Sequence, residues 1–178
     1  MSRRNWFLSF TEPWLRGTHT DVPPAARAVI HALELAADDA KRWTEGLSDL
    51  EIHARPFGLM CVASQLRHIA GSADRLLTYA EGGQLSESQL SAMKAEQSGG
   101  ETLEQLLAEL DAAVGRASDR VRALAGGDLN SARKVGRKQL PTTLGGALIH
   151  VADHTQRHTG QLVTTAKVLK ALRTSGAS

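Results

Sequence analysis

One cysteine, Cys61, stands in a chain of 178 residues, so no disulfide can form within it and the fold rests on packing. That is compatible with a reducing compartment. Aromatic residues are scarce as well, at 4% of the chain, while Ala and Leu dominate. Strands draw on β-branched and aromatic side chains and helices on Ala and Leu, so the balance points to helix. No charge of one sign prevails: 21 Lys and Arg against 19 Asp and Glu leave +2. A nucleic-acid partner is therefore not expected, since such binders gather Lys and Arg on one face. The one dense basic patch, Arg133, Lys134, Arg137 and Lys138, reads as a solvated loop, with the alternative that it greets an anionic substrate. Long apolar runs are missing too. Trp6-Phe7-Leu8 is too short for the core of a signal peptide, and nothing approaches the length that spans a bilayer. The expectation is a cytoplasmic protein with no membrane partner. Its length suits one domain that buries a core of its own.

What the chain does have is helical periodicity, in four segments. From about 24 to 47, Val29, Ile30, Leu33, Ala37 and Ala40 recur at three- and four-residue spacing after Pro23-Pro24. From about 59 to 81, Val62, Leu66, Ile69, Ala73 and Leu76 form a stripe that ends at Gly82-Gly83. The third segment opens on a capping box, Thr102 with Gln105, and carries Leu103, Leu106, Leu110, Val114, Ala117, Val121 and Leu124 up to Gly126-Gly127. The fourth runs from near Thr142-Thr143 to about Leu172 and is weakly polar in its middle. No segment reads as a strand. Amphipathic helices of this length predict an antiparallel four-helix bundle over 23–178. Residues 1–22 form an irregular segment, expected to pack on it through Trp6, Phe7, Phe10 and Trp14. The connections 84–100 and 128–141 are long, which marks either the border of a functional site or a mobile stretch.

The polar middle of the fourth segment holds His150-x-x-x-His154-x-x-x-His158. Imidazoles four apart share a helix face, and two of them can converge on one ion. Three successive turns span too much axis for a single ion, so a third ligand has to come from another helix. His68, near the middle of the second segment and beside its apolar stripe, is the candidate. A row of surface histidines is the competing account, weakened by the cost of desolvating unpaired imidazoles beside a buried stripe. His19, His31 and His53 read as ordinary core or surface residues. Cys61 lies seven residues before His68 on the same face; it reads as a small buried hydrophobe, or else approaches a bound ion. A ferritin-like di-iron centre is not expected, because its Glu-x-x-His pairs are missing.

The run His154-Thr155-Gln156-Arg157-His158-Thr159-Gly160-Gln161, with the upstream Gln65-Leu66-Arg67-His68-Ile69, resembles the signature of the DinB/YfiT-like metalloenzymes. The order and separation of the two pieces match, and the likeness covers all four helical segments. The resemblance implies an up-down-down-up bundle, commonly a homodimer, with one divalent metal per chain. It assigns the ligands to His68, His154 and His158. His150 departs from the minimal motif and stands as a supporting group, a proton shuttle, a substrate contact or simple packing. Gly160 is expected to allow close helix approach. Gln161 is expected to orient a ligand or a bound water, or else to be a core amide satisfied by a neighbouring helix.

Three neutral histidines leave coordination positions open, the style of a catalytic site. An open divalent site can generate a nucleophile from bound water or from a thiol. The resemblance points first to a thiol S-transferase acting on a small-molecule substrate with a low-molecular-weight thiol as cosubstrate. The metal would hold the thiolate, while Arg67, Arg75 or the basic loop attract its carboxylates. The alternatives are a metal-dependent hydrolase, for which no convincing carboxylate base is visible, and a non-catalytic, stress-associated metal-binding dimer. Zinc or nickel suits the imidazoles best, and iron is also compatible.

Overall fold

The computed structural model describes residues 11–176. In chain order it contains α1 (Pro24–Thr44), α2 (Asp49–His53), α3 (Val62–Ala80), α4 (Glu87–Ala95), α5 (Leu103–Leu124), a hairpin of β1 (Ala132–Val135) and β2 (Leu140–Thr143), and α6 (Leu144–Gly176). The protein is thus mostly helical. None of these helices is long and apolar enough to cross a membrane.

Local chemistry explains most boundaries. Pro24 occupies the first turn of α1, where its missing N–H costs nothing. Cys61 is the N-cap of α3, its Sγ accepting from the Ser64 N–H. That is the role of this buried thiol, one the sequence left between packing and metal contact. Thr102 and Gln105 form the expected capping box of α5. Two further boxes, Ser48 with Glu51 and Ser86 with Gln89, start the short helices α2 and α4, which the periodicity did not announce. Both expected loops therefore carry structure: α4 occupies the first, and the second is the hairpin, with Ala132 opposite Thr143 and Val135 opposite Leu140. The expectation of no strand is corrected here. The hairpin is two four-residue strands, too short for alternation to stand out.

Each of α1 and α3 packs against both α5 and α6. The core divides in two. One cluster gathers Leu47, Ile52, Val62, Leu66, Leu106, Leu110 and Leu162; the other gathers Ile30, Leu33, Leu77, Val121, Leu144, Leu148 and Val151. On α6 the two are separated by the stretch from Val151 to Leu162, where the buried residues are Thr155 and Thr159. This polar gap is where the histidines stand. Arg120 of α5 braces α3 through Asp74 at 2.6 Å and Glu81 at 2.7 Å.

The hairpin closes the start of α6. Leu144 N donates to Ser131 O, Gly145 N to Leu129 O, and the Thr143 hydroxyl accepts from Gly146 N. Among residues 11–22, Arg16 pairs with Asp38 of α1 at 2.5 Å and Asp21 with Arg122 of α5 at 2.8 Å. Trp14 is 62% exposed. Trp6, Phe7 and Phe10 lie outside the described residues.

Candidate metal centre

The gap in the core brings α3 and α6 together at His68, His154 and His158. One ligand atom from each ring lies within 4.8 Å of the others, so the three could hold a metal ion. His68 Nε2 and His154 Nε2 are 3.1 Å apart. The ring centroids of His68 and His158 are 4.2 Å apart, and those of His154 and His158 4.5 Å. His150 sits one turn from this group, half-exposed, with its ring 5.4 Å from His154 and its Nδ1 2.8 Å from Asp153.

The electrostatics favour neutral rings at His154 and His158. Burial, then the neighbouring rings of His158 and His68, lowers the pKa of His154 from 6.5 to about 4. Burial and then His68 also lower His158. A neutral imidazole presents a lone pair, the state a metal requires. The buried Nδ1 of His158 has no hydrogen-bond partner. A buried polar atom left without a partner costs free energy, which fits a ring held for a ligand that the chain itself does not supply.

Behind His68 stands a residue that sequence reasoning missed. Glu96, just past the end of α4, is buried and receives His68 Nδ1 on Oε2 at 2.7 Å. Its Oε1 meets Arg75 Nη1 at 2.6 Å. Burial pushes the Glu96 carboxyl up, but the hydrogen bonds from His68 and Arg75 and the guanidinium charge outweigh it and hold the group below the usual carboxylate range. The ionised carboxylate fixes a proton on His68 Nδ1 and turns Nε2 toward His154. A carboxylate behind a ligating histidine is the common device for orienting such a ring. Gly71 makes room for it: a Cβ there would stand 2.8 Å from Arg75 Nη1 and 2.9 Å from Glu96 Oε1. The one signal in the sequence was the long connection 84–100.

Several expectations are corrected at this point. Arg67 and Arg75 are both paired within the chain. Arg75 holds Glu96, and Arg67 holds Glu101 at 2.5 Å and the Glu96 carbonyl at 3.3 Å, so both are spent fastening the 96–101 segment. The basic loop is the hairpin, and its Arg133 donates to the carbonyl of Ala80, twelve residues beyond His68 on α3 and so about 18 Å along the helix. Gly160 has open space where a Cβ would stand, so it serves no close helix approach. Gln161 is exposed and is no core amide. That role belongs to Gln65, which donates to Met60 O and Thr165 Oγ1. Gly160 and Gln161 instead line a cleft of about 530 Å³ with Met60 and Arg157.

A second group could also hold an ion: His19, His31 and Glu34. His53, by contrast, bonds the Glu101 carbonyl at 3.0 Å.

No curated protein matches the chain. The sequence profile of the DinB superfamily matches residues 32–162, a stretch that contains α1 from its third turn, all three histidines of the group and Glu96. The chain belongs to the DinB superfamily.

Proposed function

We propose that this protein binds one divalent metal ion through His68, His154 and His158 and uses it to activate a small thiol for transfer to an electrophile. The observation that carries the reading is the convergence of three imidazoles from two helices, with Glu96 orienting His68 from behind. Imidazole donors suit zinc or nickel, and also iron. Bound there with open positions, such an ion supplies a lowered pKa to a water or thiol.

The chain's own residues favour the thiol over the hydrolase. A hydrolase wants a free general base beside the nucleophile. The carboxylate at this site is Glu96, and both of its oxygens are occupied, by His68 and Arg75. A thiol surrenders its proton more readily and asks for less help. Arg157, next to His158 in the chain, exposed in that cleft and held by Asp153 only at 3.7 Å, is the cation that would receive the carboxylates of a thiol cosubstrate.

The reading includes the up-down-down-up arrangement. Supporting it are Gln156 of α6 on the Ala32 carbonyl and Lys167 over Trp43, which run α6 along α1, and Gln65 with Thr165, which runs α3 against α6. Lys41 with Asp111 runs α5 against α1. It also includes a cytoplasmic homodimer. Leu50 and Phe57, 85% and 84% exposed, are the apolar side chains such a dimer would cover, and sedimentation of the wild type against Phe57→Ser tests it.

The decisive experiment is elemental analysis of the tag-free protein beside His68→Ala, followed by assay of a small thiol with an aryl halide. Metal at the three-histidine group, lost in the variant together with thiol consumption, supports the reading. Thiol transfer that persists in the metal-free variant refutes the activity, and absence of metal at that group after reconstitution refutes the site.

A further inference from the structure

His31 and Glu34 are three apart on α1, one turn on one face. The preceding segment folds a third donor onto them. His19 adopts φ 56, in the left-handed region, and its carbonyl accepts from Val22 N at 3.0 Å. That turn sets its ring against α1, with the His19 and His31 centroids 5.5 Å apart and His19 Nε2 2.6 Å from Glu34 Oε1. One nitrogen of each ring and one carboxylate oxygen lie within 4.8 Å of one another.

The structure assigns to His19, His31 and Glu34 a second site for a divalent ion of the zinc class, independent of the three-histidine group. Two imidazoles and one carboxylate are a donor set of catalytic zinc and of non-haem iron, and they leave a position for water or a small anion. His31 also lines a cleft of about 530 Å³ with Thr18, Trp14, Arg27, Leu35 and Gln156, which gives that position access. Arg27 supplies a positive partner there for a small anionic ligand. The Thr18 hydroxyl, 3.2 Å from His31 Nε2, accepts as well as donates and so tolerates either tautomer of the ring.

One group competes with the ion. Arg122 donates to His19 Nδ1, which places the ring proton on Nε2, facing Glu34. Binding moves that proton: the Nε2–H bond breaks, the nitrogen lone pair goes to the ion, and Nδ1 takes up a proton in its place. Arg122 must then release the ring, keeping Asp21, which it already holds at 2.8 Å. The site is therefore tuned down by Arg122, a signature that a merely packed histidine pair lacks.

The test uses zinc titration by calorimetry and cobalt(II) absorption on the full chain and on His68→Ala/His154→Ala/His158→Ala. The triple variant is expected to retain one ion per chain. Glu34→Gln or His31→Ala should weaken that binding at least tenfold, and Arg122→Gln should tighten it severalfold. Should the triple variant not fold, the same substitutions in the otherwise unaltered chain report on a second equivalent of ion. No equivalent beyond the three-histidine site, or binding indifferent to Glu34→Gln and Arg122→Gln, overturns the assignment.

Discussion

The two histidine groups are built on opposite plans. In the group between α3 and α6, every donor is an imidazole on a long helix, and the ring orientations are set by core packing and by Glu96. In the group on α1, one donor comes from a turn, one is a carboxylate, and a guanidinium already holds the far nitrogen of one ring. The comparison teaches that rigid elements and a buried orienting carboxylate make a site selective for neutral donors, while a mixed loop-and-helix site must displace existing partners before it can bind. The first is pre-organised, and the second carries a cost that its affinity has to cover.

The largest effect expected separates them outright. His154→Ala/His158→Ala should lose the ion of the α3–α6 group while leaving cobalt binding at His19, His31 and Glu34 intact; loss of both together would show the groups to be coupled. Next comes Glu96→Gln, which keeps the shape but weakens the hold on His68 Nδ1. Competitive chelation should show a tenfold to hundredfold weaker ion at the first group and no change at the second. Gly71→Ala acts on the same carboxylate from the other side, crowding Arg75 and Glu96, and is expected to give a smaller loss in the same direction.

Acidity offers a further contrast. The folded pKa of His154 is about 4, against 6.5 when exposed in the unfolded chain. Protons therefore favour the unfolded state between those values. In the metal-free protein the contribution is whole above about 6.5, falls away as pH drops toward about 4, and levels off below it. Urea midpoints across that window should decline less steeply for His154→Gln than for the wild type. The smallest effect expected is that of His150→Ala. Its ring is half-exposed and paired with Asp153, so metal content measured by elemental analysis should stay unchanged.

The legibility of the two groups in the sequence follows the same division. Periodicity exposed the four long helices, because each buries a continuous stripe such as Leu106, Leu110, Ala113 and Ala117 of α5. The four-residue spacing of His154 and His158 exposed half the first site, since a helix converts sequence distance into a fixed direction. Short elements escaped: α2 is five residues, and each strand of the hairpin four, too few for a period. Glu96 escaped for another reason. It lies past the end of α4, 28 residues from His68, and only tertiary packing brings them together. His19 escaped in the same way, delivered by a turn whose backbone conformation has no marker such as glycine.

Glu96 is carried by the segment after α4 and not by the four long helices, and this has a thermodynamic consequence. Arg67 fastens that segment at Glu101 and at the Glu96 carbonyl, and Arg75 fastens it at the carboxylate. If the docked segment tightens the ion, then by reciprocity the ion must tighten the docking by the same factor. Occupancy of a site inside the bundle would then be reported on its surface, as slower amide exchange and slower proteolytic nicking between residues 84 and 101.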